Sequence, residues 1–128
     1  MTTALEVVQQ FYEAFGRGDV TAVVNLVASE VDWEGIVPAT LPYAGRRRNP
    51  QEVADFFAAL ERAAETAVFE PQEFIEAGEN VTVLGWVKST ARDTRHTFES
   101  EWVHVFTVTG GKITRWRGFF NTAAHYGL

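Results

Sequence analysis

The chain has 128 residues, nearly half of them apolar, which is enough to bury one core and too few for two domains. Its formal charge of −6 argues against phosphate backbones as partners, and the lack of cysteine removes disulfides, thiol nucleophiles and thiolate metal sites. No apolar run is long enough for a membrane span, and no basic stretch precedes an apolar one at the N-terminus, so a cytoplasmic protein is expected.

Residues 4–15 read as a helix. Leu5, Val8, Phe11 (or Tyr12) and Phe15 recur at helical spacing, Thr3 and Glu6 fit a capping box, and Gly16 and Gly18 stop it. Asp19 then caps a second helix over 20–28, with Val23, Val24 and Val27 turned inward. A short strand follows over 31–36. Arg46, Arg47 and Arg48 read as a solvated turn. Asn49, Pro50 and Glu52 start a third helix that runs to about residue 64 and buries Val53, Phe56, Phe57 and Leu60. The period then changes to alternation, giving strands over 68–77, 81–90, 96–109 and 112–122. Two glycine-bearing turns, 77–80 and 109–112, make hairpins of them. Helices first and strands after predict a single α+β domain over 1–128, with helices covering one face of a mainly antiparallel sheet.

Several runs in this order match a known family: Phe11-Tyr12-Glu13-Ala14-Phe15 with Gly18-Asp19; Val31-Asp32-Trp33; Leu41-Pro42-Tyr43-Ala44-Gly45; Val53 with Phe56-Phe57; Trp102-Val103-His104-Val105-Phe106; Gly111-Lys112-Ile113; and Asn121-Thr122-Ala123. The chain resembles the SnoaL-like, ketosteroid-isomerase-related branch of the nuclear transport factor two-like superfamily. The resemblance implies a cone-shaped half-barrel with three N-terminal helices around a pocket. It also implies a homodimer paired through the outer sheet face, where Val81, Val83, Val103, Val105 and Trp116 are expected.

Alternation assigns the pocket wall. Phe98, Ser100, Trp102, His104 and Phe106 share one strand face, taken as inner because it carries the bulky aromatics. Phe119 and Asn121 are placed inward from the family pattern, with parity near 115–118 open to a bulge. Trp33, Trp86 and Tyr43 are further candidates, beside Phe11 and Phe57 from the helices. An aromatic wall with a few polar atoms suits a flat, apolar small molecule, although four tryptophans and ten phenylalanines could also serve only as core.

The family's chemistry can be asked of each position. In ketosteroid isomerases an oxyanion hole combines a tyrosine with a protonated aspartic acid, opposite a carboxylate base. By resemblance the tyrosine falls on Phe11, the acid on His104 and the base at or next to Trp33, where Asp32 and Glu34 lie on the opposite face and reach in only with a local twist. SnoaL-like cyclases carry an aspartate that matches Asn121. His104 is thus the expected acid or base and Asn121 the group that orients a carbonyl or water. His96 and His125 are expected in solvent, and the scattered histidines make no metal motif. The reading is an isomerase- or cyclase-type enzyme for a polyketide- or steroid-like carbonyl compound, needing no cofactor. A non-catalytic binding module and a dimeric structural domain with a filled cavity are the alternatives.

Overall fold

The computed structural model describes residues 3–127; residues 1, 2 and 128 of the expected domain lie outside the described residues. Three helices begin where local side chains satisfy free amides. Thr3 Oγ1 accepts from the Glu6 amide at 3.1 Å and starts α1, Ala4–Gly16. Asp19 Oδ1 accepts from Ala22 at 3.0 Å and starts α2, Val20–Asn25. Asn49 Oδ1 accepts from Glu52 at 2.9 Å and starts α3, Pro50–Ala63, with proline in the first turn where no amide partner is missed. No described helix is long and apolar enough to cross a membrane.

The strands are β1 (Val27–Gly35), β2 (Arg46–Arg47), β3 (Ala64–Ala77), β4 (Asn80–Ala91), β5 (Thr97–Thr109) and β6 (Lys112–Phe120). A short α4, Thr122–His125, closes the described chain. The second helix is shorter than expected, because Val27 already belongs to β1. The third helix passes into β3 without a loop, and the residues beyond Phe120 form α4 rather than more strand. The three arginines are not a free turn. Arg46 and Arg47 pair with β1, where Arg46 lies 3.2 Å from Asp32 and 3.8 Å from Glu34.

The strands form one curved, unclosed sheet in the order β2-β1-β6-β5-β4-β3. Only β1 and β6 run parallel; the other neighbours are antiparallel. The hairpin turns use Gly78, Gly110 and Gly111 at positive φ, the conformation that such tight turns require.

Register corrects the face assignments. Val81 and Val83 lie opposite Phe106 and His104, so they belong to the inner face and are fully buried. Trp86 lies opposite Glu101, on the outer face. In β6 a bulge near Thr114 lets Val108 pair with Ile113 while Thr107 pairs with Arg115. The extra residue inverts the parity beyond it. Trp116, Gly118 and Phe120 therefore face inward with Phe106, His104 and Trp102, and Phe119 faces outward beside Val103 at 42% exposure. The core forms where α1 (Val7, Val8, Phe11) and α3 (Val53, Phe56, Phe57) meet this inner face.

Candidate functional site

A half-enclosed cavity of about 120 Å³ lies between α3, α1 and the inner face of the sheet. Its wall includes Phe11, Phe57, Phe69, Trp102, Trp116 and Tyr43, and none of the described residues lining it is an Asp, Glu, Lys or Arg. Two glycines let the indoles lie along the sheet. A β-carbon on Gly85 would overlap the Trp102 ring, and one on Gly118 would overlap the Trp116 ring. A cavity of roughly 150 Å³ accepts benzene, so this one has room for about one aromatic ring and not for four fused ones. The steroid-like part of the expected ligand class is too large for it.

His104 is the polar centre of the wall. Its ring stacks on Trp102 (centroids 4.1 Å apart) and meets Trp116 edge-on at 4.9 Å. Its Nδ1 lies 2.7 Å from the hydroxyl of Tyr12 on α1. Burial among these rings disfavours charge and lowers the His104 pKa to about 3, so the imidazole is neutral at neutral pH. Burial also pushes the Tyr12 hydroxyl well above the usual tyrosine range, so it keeps its proton.

Those two protonation states decide the tautomer. Among the described residues the Tyr12 hydroxyl has one acceptor, His104 Nδ1. A buried hydroxyl proton left without an acceptor costs about 1–3 kcal/mol, so Tyr12 donates and the imidazole carries its own proton on Nε2. His104 therefore offers the cavity a donor rather than a lone pair. The buried Nε1 atoms of Trp102 and Trp116 also have no partner among the described residues. The wall is apolar with its polar capacity concentrated in N–H donors, which suits a ligand bearing acceptor oxygens.

The SnoaL-like domain family matches residues 8–116 of the chain. The chain belongs to the SnoaL-like family. An NTF2-like protein of Burkholderia xenovorans LB400 is 31% identical, with 99% of this chain and 97% of that one covered and a TM-score of 0.85. An NTF2-like protein of Burkholderia thailandensis E264 is 28% identical, with coverage of 99% and 97% and a TM-score of 0.89. TerC, co-crystallized with polyporic acid, is 25% identical, with coverage of 98% and 96% and a TM-score of 0.82. No curated protein matches this chain.

In this SnoaL-like chain several expected site residues meet at the cavity: Phe11, Tyr43, Phe57, Trp102 and His104 all line it. Others do not. Trp33 is completely buried behind the wall, stacked on Trp116 at 4.4 Å. Trp86 is on the outer face. Phe119 borders the cavity, but its register partner Val103 places the side chain outward. Ser100 is occupied by its neighbours: its Oγ donates to the Glu101 carbonyl at 2.6 Å and accepts from the Asn121 amide at 2.9 Å. Asn121 precedes α4, is exposed, and does not line the cavity, because the strand ends one residue before it. Asp32 stays on the outer face. The Arg117 hydrogen bond at 2.8 Å holds its carboxyl below the usual range, opposed by desolvation and aided by the charges of Arg117, Arg46 and Arg115.

Sequence reasoning misses four residues at this site. Tyr12 lies one position from the residue that the family's tyrosine matches, yet it is the one that reaches His104. Phe69 stacks on Trp102 at 4.6 Å. Trp116, expected on the outer face, lies on the inner one. His125, expected in solvent, is buried and lines the cavity. The sequence does hold a signal for Tyr12, since positions 8 and 12 share a helix face as well as 8 and 11 do.

Proposed function

We propose that this protein binds a small, flat, mainly apolar carbonyl compound of about one ring, and that His104 hydrogen-bonds the carbonyl oxygen through Nε2–H. The observation that carries this reading is the 2.7 Å Tyr12–His104 contact, with a neutral imidazole behind an otherwise aromatic wall. A fixed donor aimed at a carbonyl stabilises the negative charge that develops when the adjacent carbon gives up a proton to a water molecule in the half-enclosed cavity. A neutral histidine used in this way has precedent in proton-transfer isomerases. The reaction class is then an isomerase- or cyclase-type polarisation of a ketone or quinone, without a cofactor. The co-crystallization of the similar TerC with polyporic acid supports a small organic ligand in this fold.

A second reading, binding without turnover, is favoured by one observation: among the described residues no carboxylate side chain lines the cavity to act as base. One experiment separates the two. Benzylideneacetone and cyclohexenone, both with exchangeable C–H bonds beside the carbonyl, are titrated while tryptophan fluorescence is followed, and binders are then incubated in D2O. Saturable quenching followed by deuterium uptake beside the carbonyl supports the enzyme; quenching without uptake supports the binding module. Silence across the panel overturns both and favours the purely structural alternative.

We further propose that two copies pair through the outer sheet face. Half-buried Leu84, Trp86, Val103 and Val105 lie there with the exposed Phe119 and Ile75. A contiguous apolar surface of this kind is stabilised by a partner. Sedimentation at micromolar concentration should give a dimer, and a monomer there would refute the pairing.

A further inference from the structure

We infer that His125 is a second anchor in the cavity, hydrogen-bonding an oxygen at the end of the ligand opposite the one held by His104. The inference rests on the carbonyl-binding reading above and narrows its substrate class to flat molecules with an oxygen at each end.

The placement of His125 carries the argument. It is 3% exposed, lines the cavity, and has a buried Nδ1 with no hydrogen-bond partner among the described residues. A buried polar nitrogen without a partner is costly, and a ligand oxygen would remove that cost. Nδ1 can accept from a hydroxyl or donate to a carbonyl according to its tautomer. Burial holds the ring toward its neutral form, with His96 acting the same way and Asp93 opposing.

The side chain is held in place from several directions. Its ring packs edge-on against Phe98, with centroids 5.2 Å apart. Just before it, the Asn121 amide donates to Ser100 on β5 at 2.9 Å. Just after it, the Tyr126 hydroxyl lies 2.9 Å from Thr40 Oγ1. α4 is thereby fastened to β5 on one side and to the loop after β1 on the other.

Position along β5 supplies the second half. Phe98, beside His125, and His104 lie on one face of the strand with Ser100 and Trp102 between them, and the His104 ring leans toward Trp102 as the Phe98 ring leans toward Phe120. Between them lie Trp102, whose ring is apolar apart from one N–H, and Ser100, whose hydroxyl is already engaged. The cavity is therefore polar at both ends and aromatic in the middle. The fitting ligand is an aromatic ring with a conjugated carbonyl arm toward His104 and a hydroxyl on the far side of the ring toward His125.

Two probes test this. Benzylideneacetone has the carbonyl arm alone; 4-hydroxybenzylideneacetone adds the far hydroxyl. Both are titrated by calorimetry against the unaltered protein, His125→Phe and His125→Asn. The phenylalanine keeps the packing on Phe98, and the asparagine returns a polar atom near the Nδ1 position. Circular dichroism melts confirm that each variant is folded. The expected result is that His125→Phe binds the hydroxylated probe about tenfold more weakly and the plain probe equally well, with most of the loss recovered in His125→Asn. Equal losses for the two probes would make His125 a packing residue and overturn the inference. No loss for either would overturn it as well, leaving carbonyl binding intact. If neither probe binds the unaltered protein, the carbonyl reading itself fails and this inference fails with it.

Discussion

The hydroxyl of Tyr12 lies 2.7 Å from Nδ1 of His104, joining the first helix to the third strand of the meander. This contact fixes which imidazole nitrogen faces the cavity. Nitrogen-15 spectra of labelled protein should show the Nε2–H tautomer of His104. In Tyr12→Phe the donor is lost, both tautomers become accessible, and we expect a loss of about 1–2 kcal/mol in urea unfolding. Carbonyl ligands should bind several-fold more weakly; unchanged affinity in a folded Tyr12→Phe would separate this hydroxyl from ligand recognition.

The depressed pKa of His104 has a definite sign in stability. The folded ring resists protonation until about pH 3, whereas an unfolded histidine takes a proton near 6.5. Between these values the unfolded chain binds more protons, so this group makes the fold less stable as pH falls from about 6.5 toward 3. The slope from one such group is at most about 1.4 kcal/mol per pH unit. Urea unfolding followed from pH 7 to 4 should show this fall, and His104→Gln should flatten it.

Gly118 sits opposite His104 in register and beneath the Trp116 ring. Gly118→Ala would force that indole away from the sheet, at a cost of about 1–3 kcal/mol from overpacking. Trp116 would move into the cavity, so ligand binding should fall even where the fold survives. A variant with normal stability and normal fluorescence would mean that the indole has room to yield.

On the opposite face, Arg117 donates to both the carboxylate and the carbonyl of Asp32. Because Asp32 has a lowered pKa, its stabilising effect is present above its unfolded value near 3.8 and disappears as pH falls through the folded one. Arg117→Met should cost about 1 kcal/mol at neutral pH, because the partly exposed Asp32 carboxylate is screened by water. The mutational cost should shrink in acid, which unfolding at pH 7 and pH 3 would reveal.

Features set by neighbours in sequence are legible from the residues alone. Thr3, Asp19 and Asn49 announce helix starts because a cap acts within three residues. The inner face of β5 is readable because nothing interrupts its alternation from Phe98 to Phe106. The last strand is not, because one bulged residue near Thr114 inverts every side chain after it, and the pairing that creates the bulge is not local. The role of Tyr12 is hidden by helix geometry: positions 11 and 12 both point inward, and only the packing angle of α1 on β5 decides which meets His104. His125 escapes sequence reasoning because a four-residue helix has no period to detect. Its burial follows from packing on Phe98 and from bonds that fasten its neighbours, Asn121 to Ser100 and Tyr126 to Thr40, all far apart in the chain.

The parallel pairing of β1 with β6 constrains how the protein can be made. Trp33 finds its stacking partner in Trp116, near the other end of the chain, and β6 fills the centre of the sheet between β1 and β5. On the ribosome, β1 emerges early and has no neighbour on its β6 side until nearly all of the polypeptide has been translated. The β3–β4–β5 meander can assemble from sequential hairpins, but β1 must wait for β6, with Trp33 covered on its helix side by Phe11, Phe56 and Phe57 and open on its Trp116 side. Such non-local closure is slow. Premature termination before Trp116 would therefore leave an open-edged intermediate rather than a smaller working protein.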